Sequence, residues 1–168
     1  MDISKTILLN RFSKIFVLFL LPTFCLGCVY YNTFYLARKS FNEAETKRSE
    51  SIGTRISIDK NAYKKAIEKT DKVLEKYPNS KWYDDALYVN GISHYYLAEY
   101  SQAEKRFREL LAEFPDFEQS REARIYLAKT KLKLGDEAEA MTLFERLFSE
   151  SDDRSVKGDA AMSLGEYY

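Results

Sequence analysis

A recurrence at an offset of 37 residues constrains this 168-residue chain more than any other feature. Gly91 maps onto Ala128 and then onto Gly165, while Ala103 maps onto Ala140 and back onto Ala66. Phe107 pairs with Phe144, Leu110 with Leu147, Tyr63 with Tyr100 and Pro78 with Pro115. A period of this length marks a stacked repeat architecture, in which each unit buries its apolar face only against its neighbours. The residue types fit pairs of antiparallel helices. Gly91 and Ala103 are expected where two helices approach closely, with Phe107 and Leu110 filling the space between one pair and the next. A glycine inside a helix costs about 1 kcal/mol relative to alanine, so its return at Gly165 is expected to reflect packing. Pro78 and Pro115 end the second helix of each pair, because proline lacks the amide and turns the preceding residue away from helical geometry.

Apolar periodicity then orders the chain into a targeting segment (1–27), an N-terminal helix with an inserted loop (28–58), and the repeats proper (59–168). Tyr30, Phe34, Ala37, Phe41 and Ala44 alternate steps of four and three, one stripe on a helix from Val29 to about Lys47. Gly53 and its β-branched neighbours read as a loop from Ser49 to Ile58. Asp59 is placed to cap a helix that ends at Tyr77 and buries Tyr63, Ala66, Ile67, Val73 and Leu74. Ser80 is placed to cap the next. Helices are expected over Lys81–Leu97 and Tyr100–Glu113, with Ala98-Glu99 as the tight turn. Asp116 or Ser120 opens a further pair, Gln119–Leu134 and Asp136–Glu150, with Gly135 as the turn glycine. Ser155 starts a last helix. Tyr168 falls inside what should be the first helix of a repeat, so the sequence is expected to be either a fragment of a longer protein or a chain that docks its end on a partner. The fold class expected is all-α, a solenoid of antiparallel helix–turn–helix units.

The first 27 residues read as an export signal. Lys5, Arg11 and Lys14 form a basic start, and Ile15–Phe24 is an apolar run short of the length that spans a bilayer. Gly27-Cys28 at its end has the form of a bacterial lipoprotein cleavage site, which would leave Cys28 as a lipidated N-terminus. The alternative is an uncleaved anchor, since no charge occurs from Ile15 to Ala37, 23 residues. If sorting resembles that of enterobacterial lipoproteins, Val29 after the cysteine, rather than aspartate, implies delivery to the outer membrane.

Charge and composition exclude several function classes. Beyond residue 27 there are 23 basic and 25 acidic side chains, so nothing resembles the clustered basic excess of a nucleic-acid surface. Cys25 and Cys28 are the only cysteines and His94 the only histidine, so neither metal ligation nor a nucleophile–base pair is supported. His94 reads as a packed residue. Asp84-Asp85 and Asp152-Asp153 read as helix-start carboxylates that favour the exposed amides there. No phosphate-cradling glycine loop is present. No cofactor, metal or small-molecule substrate is expected, and no catalytic residue.

The small–aromatic–small–aromatic–proline pattern carried by Gly91, Tyr100, Ala103, Phe107 and Pro115 resembles the tetratricopeptide repeat, over roughly Lys60 to Tyr168. Within that family a lipid-anchored chain with a Pro78-Asn79-Ser80 joint ahead of Asp85-Ala86-Leu87 is similar to the BamD-like outer-membrane assembly lipoproteins, and also to periplasmic cell-division proteins built of such repeats. Asn90, His94, Lys131, Glu137 and Asp152 depart from the repeat pattern. The resemblance implies that the first helix of each pair lines a concave surface. Asp85, Tyr88, Ile92, Tyr95 and Tyr96 would then form a partner-binding groove with Glu122, Ile125, Lys129, Leu132 and Lys133. It further implies a non-enzymatic scaffold for protein or peptide partners, lipid-anchored on the periplasmic face of the outer membrane. A peptidoglycan- or division-linked adaptor and the recognition module of a longer enzyme stay open as alternatives.

Overall fold

The structure is a computed structural model that describes residues 32–51, 58–150 and 154–165. The export segment with Cys28, most of the expected inserted loop, and Tyr168 lie outside those residues. Among the described residues there are seven helices and no strand. They are α1 (32–50), α2 (Lys60–Lys76), α3 (Tyr83–Tyr96), α4 (Tyr100–Glu113), α5 (Ser120–Leu134), α6 (Glu137–Glu150) and α7 (Arg154–Gly165). From α2 onward each helix packs on the next, and α3 and α5 also touch, as do α5 and α7. That is the nearest-neighbour layout of an all-α solenoid of helix–turn–helix pairs. Among the described residues no helix is long and apolar enough to cross a membrane.

The close approach expected at Gly91 is present, and its partner is an aromatic ring. A Cβ on Gly91 would lie 2.7 Å from Phe107 Cε1. Phe107 is therefore seated inside its own pair, on α3. Its ring also stacks on Tyr126 of α5, with centroids 6.0 Å apart, so it seals the next interface as well. Ala103, Phe107 and Leu110 are fully buried, and their counterparts Ala140, Phe144 and Leu147 are buried in the following pair. Gly165 departs from the expectation: among the described residues nothing lies within 4 Å of the position its Cβ would take.

The turns repeat with the same offset. Gly135 has φ +81° and Ala98, 37 residues earlier, φ +61°. In both, two amides reach back to carbonyls of the preceding helix: Ala98 to Tyr95 (3.0 Å) and Glu99 to His94 (2.9 Å), then Gly135 to Leu132 (3.0 Å) and Asp136 to Lys131 (2.9 Å). This reach-back pattern around a left-handed residue closes a helix by satisfying its last carbonyls. Asp59 caps α2 as expected, its Oδ1 accepting from the Ala62 amide at 3.0 Å. Ser80 instead accepts from the Trp82 amide at 2.9 Å, in the turn ahead of α3 rather than at its cap. Ser120 is the first residue of α5, and its hydroxyl donates to the Phe114 carbonyl at 3.2 Å.

Asn90, at a position usually apolar, is fully buried and fully engaged. Its Nδ2 donates to Thr70 Oγ1 (2.7 Å) and Asp71 Oδ1 (3.0 Å), and its Oδ1 accepts from Arg106 Nε (3.0 Å). Three helices are thus joined through one amide. Such a network forms because a buried polar group without partners would cost about 1–3 kcal/mol.

Candidate functional site

The first helices of the pairs, α1, α3 and α5, meet along one side, the inner face. α1 is joined to it through Phe34, which stacks on Trp82 at 5.2 Å, and through Arg48, whose guanidinium lies 4.9 Å from the centre of the Tyr96 ring. Tyr63 stacks on Tyr96 at 5.2 Å. Tyr95 meets Tyr96 and Tyr126 edge-on at 5.4 and 5.2 Å, and the hydroxyls of Tyr96 and Tyr126 are 2.7 Å apart. The result is a continuous panel of rings drawn from α2, α3 and α5. Each edge-to-face or offset pair adds about 0.5–1.5 kcal/mol beyond area burial, so the panel is stiff.

Its polar groups are satisfied internally. Arg48 is held by Glu45 one turn earlier, Nη2 to Oε2 at 2.6 Å, and Tyr63 donates its hydroxyl to the other oxygen of the same carboxylate. Tyr88 meets the Glu122 carboxylate, and its ring lies 6.0 Å from Phe117. Lys129 rests its ammonium 5.4 Å from the centre of the Tyr126 ring. Burial, foremost, raises the pKa of Tyr63, Tyr88, Tyr96 and Tyr126, so every one of these hydroxyls stays neutral. A neutral ring surface with paired charges suits an uncharged or aromatic segment, because a rigid ring buries area at low entropic cost.

Three of the residues expected in the groove line one concavity. Glu122, Ile125 and Lys129 border a groove of about 840 Å³ beside Phe117, Glu118 and Tyr126. Tyr88, Tyr95 and Tyr96 are half-buried on α3 and do not line it; they adjoin it through Phe117, Glu122 and Tyr126. Asp85 is half-buried in the first turn of α3, and burial followed by the neighbouring Asp84 raises its pKa against the pull of Arg38. Lys133 is exposed and stands apart from the groove. Ile92 is a correction: it is 1 % exposed and belongs to the core with Leu87 and Phe107. α3 is packed by α2, α4 and α5, which leaves too narrow an open arc for Ile92 to reach the groove. Leu132 is buried for the same reason on α5. Glu45, Arg48, Tyr126 and Phe117 belong to the site although the sequence did not single them out, and Tyr63, fully buried as expected, supports the Tyr96 ring from behind. The α1 stripe Phe34–Ala37–Phe41–Ala44, carried one step further, lands on Arg48.

At the outer end of the α3–α4 and α5–α6 turns lies a second ionic arrangement. His94 Nδ1 is 2.6 Å from Glu99 Oε2, and 37 residues on Lys131 Nζ is 3.2 Å from Asp136 Oδ2. Lys131 also meets Glu104 at 2.7 Å and Glu139 at 2.8 Å. These pairs tie each turn to the neighbouring helices and reach no concavity, so they are framework. Among the described residues no cluster of His, Cys, Asp and Glu is arranged to hold a metal ion.

No curated protein matches the chain significantly. A family model described as a tetratricopeptide repeat matches residues 96–161, from the last residue of α3 into α7. The matched stretch carries the Ala103–Phe107–Leu110 and Ala140–Phe144–Leu147 sets and the Gly135 turn. The helix pairs over residues 96–161 are thus similar to tetratricopeptide repeats in sequence as well as in layout.

Proposed function

We propose that this chain is a non-catalytic scaffold of the bacterial envelope that holds a peptide segment of a partner protein along its tyrosine-lined inner face. The observation that carries the reading is the half-buried set Tyr88, Tyr95 and Tyr96, held in place by the buried rings of Tyr63 and Tyr126, next to the Glu122–Ile125–Lys129 groove. Rings held in place before binding lose little freedom on contact, and aromatic anchors dominate interface energetics. Within the panel Glu45 holds Arg48 and accepts from Tyr63, and Tyr88 meets Glu122.

Tethering is supported by the sequence alone: the basic residues Lys5, Arg11 and Lys14, the apolar run Ile15–Phe24, and Gly27-Cys28. On this reading Cys28 is lipidated and the repeats stand on the periplasmic face of the outer membrane. The role closest to that arrangement is BamD-like, assisting assembly of outer-membrane proteins. Two measurements test it. A photo-crosslinking residue at Glu122 should capture envelope proteins, whereas one at Glu75 on the exposed side of α2 should not; equal capture at both positions refutes the groove. Radioactive fatty acid should label the wild type and not Cys28→Ala, and unlabelled wild type refutes the lipid anchor.

A further inference from the structure

The outer side of α1 carries exposed apolar and basic residues side by side. Tyr35 is 56 % exposed and Leu36 38 %, adjacent large hydrophobics turned to solvent. Lys39 and Asn42 follow on the same side, one and two turns after Tyr35, with Arg38 at its margin, and all are exposed. From Asn32 to Asn42 the helix carries two basic residues and no acidic one, and Glu43 is the first carboxylate. The opposite side of the helix is spoken for, since Phe34, Ala37 and Ala44 are buried against the repeats. The exposed half is thus a short amphiphilic strip of a tyrosine, a leucine and two cations.

Its place in the chain limits what can cover it. Asn32 follows Cys28 by only a few residues, a reach of at most about 14 Å for any polypeptide. We propose that the N-terminal half of the outer face of α1 lies against the bilayer, with Tyr35 and Leu36 at the boundary between headgroups and acyl chains and Arg38 and Lys39 on anionic headgroups. The inference rests on the tethering proposed above. Tyrosine favours that boundary because its ring is apolar and its hydroxyl is wet, and cations gain from the negative surface potential. The acids Glu43 and Glu50 begin where the helix would rise away from the surface. Contact along this side leaves the inner face of α1, α3 and α5 turned to a partner.

The full chain carrying Tyr35→Trp, reconstituted in phosphatidylglycerol–phosphatidylethanolamine vesicles, tests this. Wild-type protein, whose only tryptophan is Trp82, gives the background, and Ser101→Trp on α4 gives a position away from the strip. With brominated acyl chains the emission added by the Tyr35→Trp indole should fall at least about twofold, while that added by Ser101→Trp is unaffected. Reversing charge with Arg38→Glu and Lys39→Glu in the Tyr35→Trp background should return most of the lost emission. Tyr35→Trp protein that floats with the vesicles while its added indole stays unquenched overturns the inference and leaves the anchor intact. Quenching that charge reversal does not change overturns the headgroup contact. Protein that does not float refutes the anchor, and the inference falls with it.

Discussion

Phe107 shows how a single omitted side chain shapes the architecture. Its ring occupies the volume that a Cβ on Gly91 would need, 2.7 Å away, and stacks outward on Tyr126. Gly91→Leu should therefore overpack both interfaces and destabilise by about 1–3 kcal/mol, read as a lowered midpoint in urea. A neutral result would mean that the ring has free space elsewhere. The offset pattern made Gly91 and Ala103 legible from the sequence, since small residues recurring at one interval have few other causes. Asn90 was not legible in that way. The sequence showed only a polar residue in an apolar slot, and its partners Thr70, Asp71 and Arg106 come from two other helices. Ala98 offers a converse test. It adopts φ +61°, a geometry that costs a residue with a Cβ about 1 kcal/mol and that glycine adopts freely at Gly135. Ala98→Gly should be neutral to stabilising by up to about 1 kcal/mol in urea unfolding, despite added freedom in the unfolded chain.

Between elements, the joint at the α5–α6 turn depends on charge where its counterpart at α3–α4 uses His94. Lys131 gathers Glu104, Asp136 and Glu139, and Arg108 adds contacts to Glu104 and Glu139. Burial works against ionised Glu104, but the bonds from Lys131 and Arg108 outweigh it, and its pKa is lowered; Asp136 is lowered chiefly by Lys131. Carboxylates lowered in the folded state contribute stability that is present above their unfolded pKa. It is lost as the pH falls through the folded value. Stability of this joint should accordingly decline below about pH 4. Lys131→Met should cost about 1–2 kcal/mol at neutral pH and flatten that decline, measured by thermal melts across pH. Asp85 has the opposite sign. Burial raises its pKa, so its contribution is favourable below the unfolded pKa and is lost as the pH rises through the folded value. Asp85→Asn should raise Tm at neutral pH and lose that advantage at about pH 3. No period announces either effect, because the ionic partners sit on different helices and Asp85 looks like an ordinary helix-start acid.

Across the whole molecule the buried residues divide where a solenoid should divide. One cluster joins α1 to α5 through Phe34, Leu87, Phe107 and Tyr126, a second joins α5 to α6 through Ala128, Leu132, Phe144 and Leu147, and a small third joins α1 to α2 through Ala44, Ala62 and Tyr63. Only α5 contributes buried residues to both of the first two. In a chain whose contacts run between neighbours, stability is a sum of local interfaces, and a lesion at one end need not reach the other. The alternation of paired helices was plain in the sequence because the helices from α3 to α6 obey one period. The panel of rings was not, since Tyr96 and Tyr126 are 30 residues apart rather than 37 and come from different positions of the repeat. Phe144→Ala removes the counterpart of Phe107 and should cost about 3–5 kcal/mol where it acts. Amide exchange should then show α6 and the last turns of α5 opening while α2 to α4 keep their protection. If protection fell evenly from α2 to α6, the molecule would be one cooperative unit, and the inner face would be coupled to every repeat rather than to the pairs that bear it.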